Sequence, residues 1–158
     1  MTEMTVDIEN NPNITNDNDV VQFIIQRLYM KDLSFEAPHT PSIFQQEWNP
    51  ELALNVFCEN NILDDNIYEV ILTVTVKVTN QSTVAFIVEA KQAGIFMISG
   101  AIDEQLKHLL GSFCPNILFP YARAAITAQV VNGSFPQLIL APINFDAIYM
   151  QNNGQMHK

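Results

Sequence analysis

Positive charge is scarce in this chain. Seven Lys and Arg stand against seventeen Asp and Glu in 158 residues, a formal net charge of -10, and the sequence pI is near 4.4. Nucleic acid is thereby excluded as a partner, because phosphates need a basic footprint, and a basic partner or substrate is favoured. Cysteine is nearly absent as well. Cys58 and Cys114 form no short-spaced pair and sit among apolar neighbours, so reduced, buried thiols are expected instead of a disulfide framework. Gly94 and Gly100 bracket no lysine, so no phosphate-cradling loop is present. His39, His108 and His157 are isolated, none with Cys or His at metal spacing, and His108 reads as a surface or capping residue. Ser99 precedes a glycine but lacks a nucleophile elbow. A cross-strand pair of Glu69 and Glu89 is conceivable, yet an exposed sheet face accounts for it better than a catalytic dyad. The expectation is a non-enzyme that needs no cofactor and no metal.

Long apolar runs are lacking too: Pro115, Pro120 and Arg123 interrupt the closest candidate for a membrane span. Residues 1–19 are Asn-rich and acidic, unlike a signal or transit peptide, and read as a disordered extension of a soluble, intracellular domain over 20–150. Residues 151–158 read as a flexible tail without core content. Charged residues make up only 15% against 48% apolar, low for a soluble monomer, so surface is expected to be shared with other subunits.

What the chain has in abundance is two-residue periodicity. From Ile67 onward Tyr68, Val70, Leu72, Val74, Val76 and Val78 share one face. After a polar turn over Thr79 to Ser82, Val84, Phe86, Val88 and Ala90 oppose Thr83, Ile87, Glu89 and Lys91. This is an antiparallel hairpin. Leu52, Leu54, Val56 and Cys58 alternate as another strand, followed by a loop from Glu59 to Asn66. Between Val20 and Phe35 both alternating sets are apolar, which predicts a strand covered on both faces or an edge paired with another chain. Beyond it Asp32, Ser34 and Glu36 share one parity, a solvated strand end or a docking surface. The sheet thus has four antiparallel candidates in sequence order. Ala37 to Pro50 is long for a connection, and its Ile43, Phe44 and Trp48 read both as a lid on the core and as ligand-facing residues.

After Gly94 the period becomes helical. Ile102, Leu106, Leu109, Leu110 and Phe113 form one helix, and Pro115 opens a second that Asn132 and Gly133 close. That second helix is apolar nearly all round, with Ile117, Tyr121, Ala124 and Ala128 on one side and Leu118, Ala122, Ala125 and Ile126 on another. A two-layer domain covers only one of these sides, so another subunit is expected on the other. After an apolar connector from Ser134 to Pro142, Asn144 caps a short helix with Asp146 in its first turn and Phe145, Ile148 and Tyr149 as an apolar strip. The fold class is α+β, a four-stranded antiparallel sheet with C-terminal helices on one face. Its surplus of apolar loops suits capture of extended, unfolded polypeptide without ATP, by mass action.

Several blocks in one order are familiar. KDLSFEAP (31–38), AFIVEAKQAGIF (85–96), CPNILFPYAR (114–123) and FPQLILAPINFDA (135–147), with the isolated Trp48, resemble the SecB family of bacterial protein-export chaperones over roughly Phe23 to Met150. The resemblance implies a cytoplasmic homotetramer, a dimer of dimers in which first strands pair into a larger sheet and long helices pack between dimers. It also implies capture of unfolded preproteins and their delivery to the SecA motor ATPase. On matching positions, Asp32, Glu36, Ile87 and Glu89 would dock SecA, while Val88, Ala90 and Gln92 on the opposite face would bear on tetramer assembly. Ile43, Phe44, Trp48, Phe145 and Tyr149 would line the substrate groove. Ala93 stands where the family pattern usually has glycine, and the tail QNNGQMHK is uncharged apart from Lys158, where the family often ends in acidic residues. The alternatives are an adaptor oligomer without affinity for unfolded chains, or a related chaperone for other clients, such as a toxin–antitoxin pair.

Overall fold

The computed structural model describes residues 2–4 and 20–155, with side chains over 20–153. Its elements are β1 (Thr2–Met4), β2 (Gln22–Glu36), β3 (Pro50–Asp64), β4 (Ile67–Asn80), β5 (Thr83–Ser99), α1 (Asp103–His108), α2 (Cys114–Asn132) and α3 (Phe145–Gln155). The β4–β5 hairpin is the centre of the sheet. Asn80 pairs with Thr83, leaving Gln81 and Ser82 as a two-residue turn. Both have φ near +50° to +70°, as the right-handed strand twist requires of a tight hairpin. A second such turn, with Asn66 at φ 60°, joins β3 to β4.

The sheet order is β1-β2-β5-β4-β3, antiparallel throughout. The strands are therefore not laid down in sequence order as expected: β2 sits beside β5, at the opposite side of the sheet from β3. The connection over residues 37–49 must cross three inter-strand spacings, roughly 14 Å, which explains its length. It is tied down at its far end by the buried Asn80. The Asn80 side chain accepts from the Asn49 N–H (2.7 Å) and donates to the Glu47 carbonyl (3.0 Å) and the Gln46 side chain (3.3 Å).

Alternation divides the sheet into two faces. Val70, Leu72, Val74, Val76 and Val78 of β4 and Phe86, Val88 and Ala90 of β5 are all buried beneath Leu118, Ala122, Ile126 and Val130 of α2. Each large aliphatic side chain removed from water here contributes roughly 1.5–3 kcal/mol. Among the described residues the other face carries no helix.

Strand β2 departs from the expectation of a two-sided strand, and for a geometric reason. Its register against β5 shifts between Ile25 and Arg27 and again between Met30 and Asp32. Each bulge inserts one residue and resets the alternation. Phe23 and Ile25, then Leu28 and Met30, then Leu33 and Phe35 all fall opposite residues of the covered face. What reads as two apolar faces is one face re-phased twice.

Four boundaries also move. The loop expected over Glu59 to Asn66 is strand through Asp64, because each residue from Glu59 to Ile62 has a partner on β4. The helix break expected at Pro115 is absent: α1 runs through a π-helical turn (Leu109–Phe113) directly into α2. Pro115, which cannot donate, sits at the start of α2, where the wide turn has already interrupted the regular ladder. The flexible tail expected from Gln151 is helical through Gln155 as part of α3, and residues 156–158 lie outside the described residues. The disordered extension expected over 1–19 contains the strand Thr2–Met4, paired with Phe23 to Ile25 of β2; its remaining residues lie outside the described ones. At the start of α3, the Asn144 side chain caps the helix by accepting from the Ala147 N–H at 3.0 Å.

Candidate functional site

The uncovered face gathers the acidic residues of β2 and β5. Asp32 lies opposite Lys91, Ser34 opposite Glu89 and Glu36 opposite Ile87, so Asp32, Glu36, Ile87 and Glu89 form one patch on two adjacent strands. Asp32 and Glu36 are exposed, and Ile87 and Glu89 half-buried. The Thr75 hydroxyl donates to Glu89 at 3.0 Å. Val88, Ala90 and Gln92 point the other way and are buried under the helix layer.

Glu69 and Glu89 are not neighbours. Glu69 opposes Ile95 whereas Thr75 opposes Glu89, a separation of roughly 20 Å along β4. Glu69 instead anchors a cluster that alternation alone does not reveal. Tyr29 donates to it, Lys31 Nζ reaches both its oxygens at 3.0 and 3.1 Å, and Asn61 donates at 3.2 Å. The Tyr29 hydroxyl, with help from Lys31 and Asn61, holds the Glu69 carboxyl below its usual range against the opposing effect of burial. Burial, then the Glu69 hydrogen bond and charge, push Tyr29 up to about 12.

On the covered side, aromatic rings converge on Phe135. Its ring centroid is 4.9 Å from Phe86, 5.2 Å from Phe44, 5.9 Å from Trp48 and 6.4 Å from Phe35. Ile43 is buried, Trp48 half-buried and Phe44 49% exposed, so the crossover loop is both lid and surface. Phe145 and Tyr149 are elsewhere. Phe145 is buried against Phe119, and half-buried Tyr149 lies edge-on to His108. A Cβ at Gly111 would lie 2.7 Å from the Tyr149 ring, so a larger residue there would displace that ring from its seat on the π turn. Along α2 the two groups are roughly 30 Å apart. An open groove of ≈ 580 Å³ lies along α2, lined by Pro120, Arg123, Ala124, Thr127, Ala128, Val131 and Asn132 of that helix and by Gln137 and Ile139 of the connector. Thr127 holds the connector there by donating to the Leu138 carbonyl at 2.8 Å. Ile139 in the groove and Phe135 in the aromatic cluster both belong to the apolar connector, whose lack of a period leaves their facing undetermined by the sequence. On the same outer side of α2, Tyr121 and Val131 are half exposed.

Among the described residues nothing assembles catalytic machinery. Ser112, His108 and Asp146 meet beside a cavity of ≈ 350 Å³, but both the serine hydroxyl and the His108 ring (2.8 Å) bond to Asp146 Oδ1. The serine hydroxyl thus bonds to the carboxylate and not to the imidazole, so no serine–histidine pair forms. Ser112 and then His108 keep the Asp146 carboxyl below its ordinary range. The two cysteines are free thiols. Burial foremost, then the Glu59 charge, raises Cys58 to about 12, and burial likewise raises Cys114, so neither is a thiolate. Among the described residues no cluster of three or more His, Cys, Asp or Glu could hold a metal, and no helix is long and apolar enough to cross a membrane.

Comparison with known proteins agrees with this architecture. The family model "Preprotein translocase subunit SecB" matches residues 16–156. The protein-export protein SecB of Legionella pneumophila (strain Corby) is 62% identical over 146 residues, 92% of this chain and 90% of the relative. That of Pseudomonas syringae pv. syringae is 53% identical over 152 residues, 96% and 94% of the two chains. In fold, the chain resembles a Mycobacterium tuberculosis SecB-like chaperone solved with a ChAD peptide from the HigA1 antitoxin. That likeness has a TM-score of 0.65 at 14% identity and covers 77% of this chain and 90% of the other. A family match over nearly the whole chain, together with a relative this similar, shows that the chain belongs to the SecB family of protein-export chaperones, which are not enzymes.

Proposed function

We propose that this protein is an ATP-independent holdase of the cytoplasm, which keeps unfolded preproteins competent for translocation and delivers them to the SecA motor. The observation that carries the reading is the division of one sheet into a helix-covered face and an open acidic one. Clients bind the covered side, where Phe44, Trp48 and Phe135 offer an aromatic end to the groove along α2. Tyr149 serves as a contact at the other end, with buried Ile43 and Phe145 supporting these surfaces from beneath. One aromatic side chain buried there supplies roughly 4–6 kcal/mol gross before ordering costs, so a few such contacts give micromolar binding with little sequence preference.

SecA docks on Asp32, Glu36, Ile87 and Glu89, whose negative charge suits a basic partner segment. The molecule works as a tetramer, a dimer of dimers. The α2 surface at Ile117 and Tyr121, outside the client groove, and the outer edge of β2 beyond Ile25, which no described strand covers, are the surfaces available for pairing. Val88, Ala90 and Gln92 are buried within one chain, so they bear on assembly indirectly, by setting how α2 lies on the sheet. The identity to export chaperones favours preproteins over antitoxins as clients. Excess protein should slow the refolding of a model preprotein without nucleotide, and light scattering should return four times the chain mass. An unchanged refolding rate would remove the holdase reading.

A further inference from the structure

We propose that Glu69 is a positioning residue for the docking face: by drawing Lys31 away, it keeps the Asp32 carboxylate unpaired and available to a basic partner. This inference rests on the docking reading above. The bulge between Met30 and Asp32 makes Lys31 the extra residue of β2, so its side chain and that of Asp32 emerge side by side on the open face. Left to itself, an ammonium next to a carboxylate in this geometry pairs with it. Here it does not. Lys31 Nζ lies 3.0 and 3.1 Å from the two oxygens of Glu69, across β5 on β4.

Glu69 can hold the cation because its surroundings favour its charge. Its side chain is 12% exposed, less than the 45% of Lys31, and Tyr29 and Asn61 complete its hydrogen bonding. Among the described residues Asp32 has no comparable side-chain donors. Among the described residues the ion pairs within 4 Å are Lys31–Glu69 and His108–Asp146, so Asp32, Glu36 and Glu89 are in none. Lys91, directly across from Asp32, is also not paired with it. In a chain with net charge -10 the cations on this face are few, and where each one is held decides how negative the patch is.

The test is a double-mutant rescue. Glu69→Gln keeps the shape of the cluster but frees Lys31, and should weaken SecA binding about three- to tenfold at low salt. Chain mass by light scattering and preprotein holding should be unchanged. Adding Lys31→Met to Glu69→Gln should restore the affinity, because the cation competing for Asp32 is gone. A double variant as weak as the single one overturns the inference and makes Glu69 a merely structural residue. So does a Glu69→Gln variant that binds like the parent while Asp32→Asn and Glu89→Lys bind weakly. If Asp32→Asn and Glu89→Lys themselves bind normally, the docking face falls and this inference falls with it.

Discussion

The two faces of the sheet are built from the same strands by alternate residues, yet they serve opposite ends. On the covered face Val74, Val76, Val88 and Ala90 are fully buried, and each contributes through packing. On the open face the residues between them, such as Thr75, Lys77, Ile87 and Glu89, are half-buried or exposed and contribute through charge and shape. A change on the first face should therefore be read in stability, and a change on the second in binding. The end of the open face around Glu69 is the exception: Ile71 and Ala93 are buried there, and Glu69 is a buried carboxylate covered by its own hydrogen-bond donors.

The sharpest way to break this division is Phe96→Ala. Phe96 is fully buried, its ring 5.5 Å from Phe23, and its truncation should cost about 3–5 kcal/mol in denaturant unfolding. A loss below 1 kcal/mol would mean that the covered face is not the source of stability. Next is Glu89→Lys, expected to weaken SecA binding at least about tenfold with unchanged mass and unfolding midpoint; dissociation into smaller species would show that the faces are wrongly assigned. Phe44→Ser should lower affinity for an unfolded peptide about fivefold by titration, with stability changed by less than about 1 kcal/mol because the ring is already half exposed. The smallest effect is in acid. The Glu69 carboxyl is depressed below 4.5, so its contribution to stability is present above that pH and is lost as pH falls through the lower folded value. A Glu69→Gln variant should lack that limb of an acid titration, and a curve identical to the parent's would argue against the cluster.

Where sequence and structure part, the cause is register or packing. The β4–β5 hairpin was legible because its alternation is unbroken over Val70 to Val78 and a turn follows. The phase of β2 was not, since a bulge exists only relative to a partner strand, and the partner proves to be β5. Glu59, Asn60 and Asn61 have loop chemistry in isolation, but pairing with Ile71, Val70 and Glu69 holds them in a strand. Pro115 is a helix-start signal that the preceding π turn overrides. Of the candidate site, parity groups Asp32 with Glu36 and Ile87 with Glu89, but that the two pairs share one patch was implied only by the family resemblance, because it requires β2 to lie beside β5. The convergence of Phe44, Trp48 and Phe135 could not be anticipated, because it joins a crossover loop to a connector without period.

Local alternation, helical spacing, capping residues and a strong acidic excess determine by themselves that this chain makes a two-faced antiparallel sheet with helices and an anionic surface. These are properties of neighbouring residues, and the pattern of side chains along a strand or helix encodes them directly. Which strand lies beside which, where the bulges turn Lys31 and Asp32 outward, and that Glu69 takes the lysine, are decided only in three dimensions. The physical reason is that hydrogen-bonded register and the burial of a charge depend on partners tens of residues away, which no local pattern specifies.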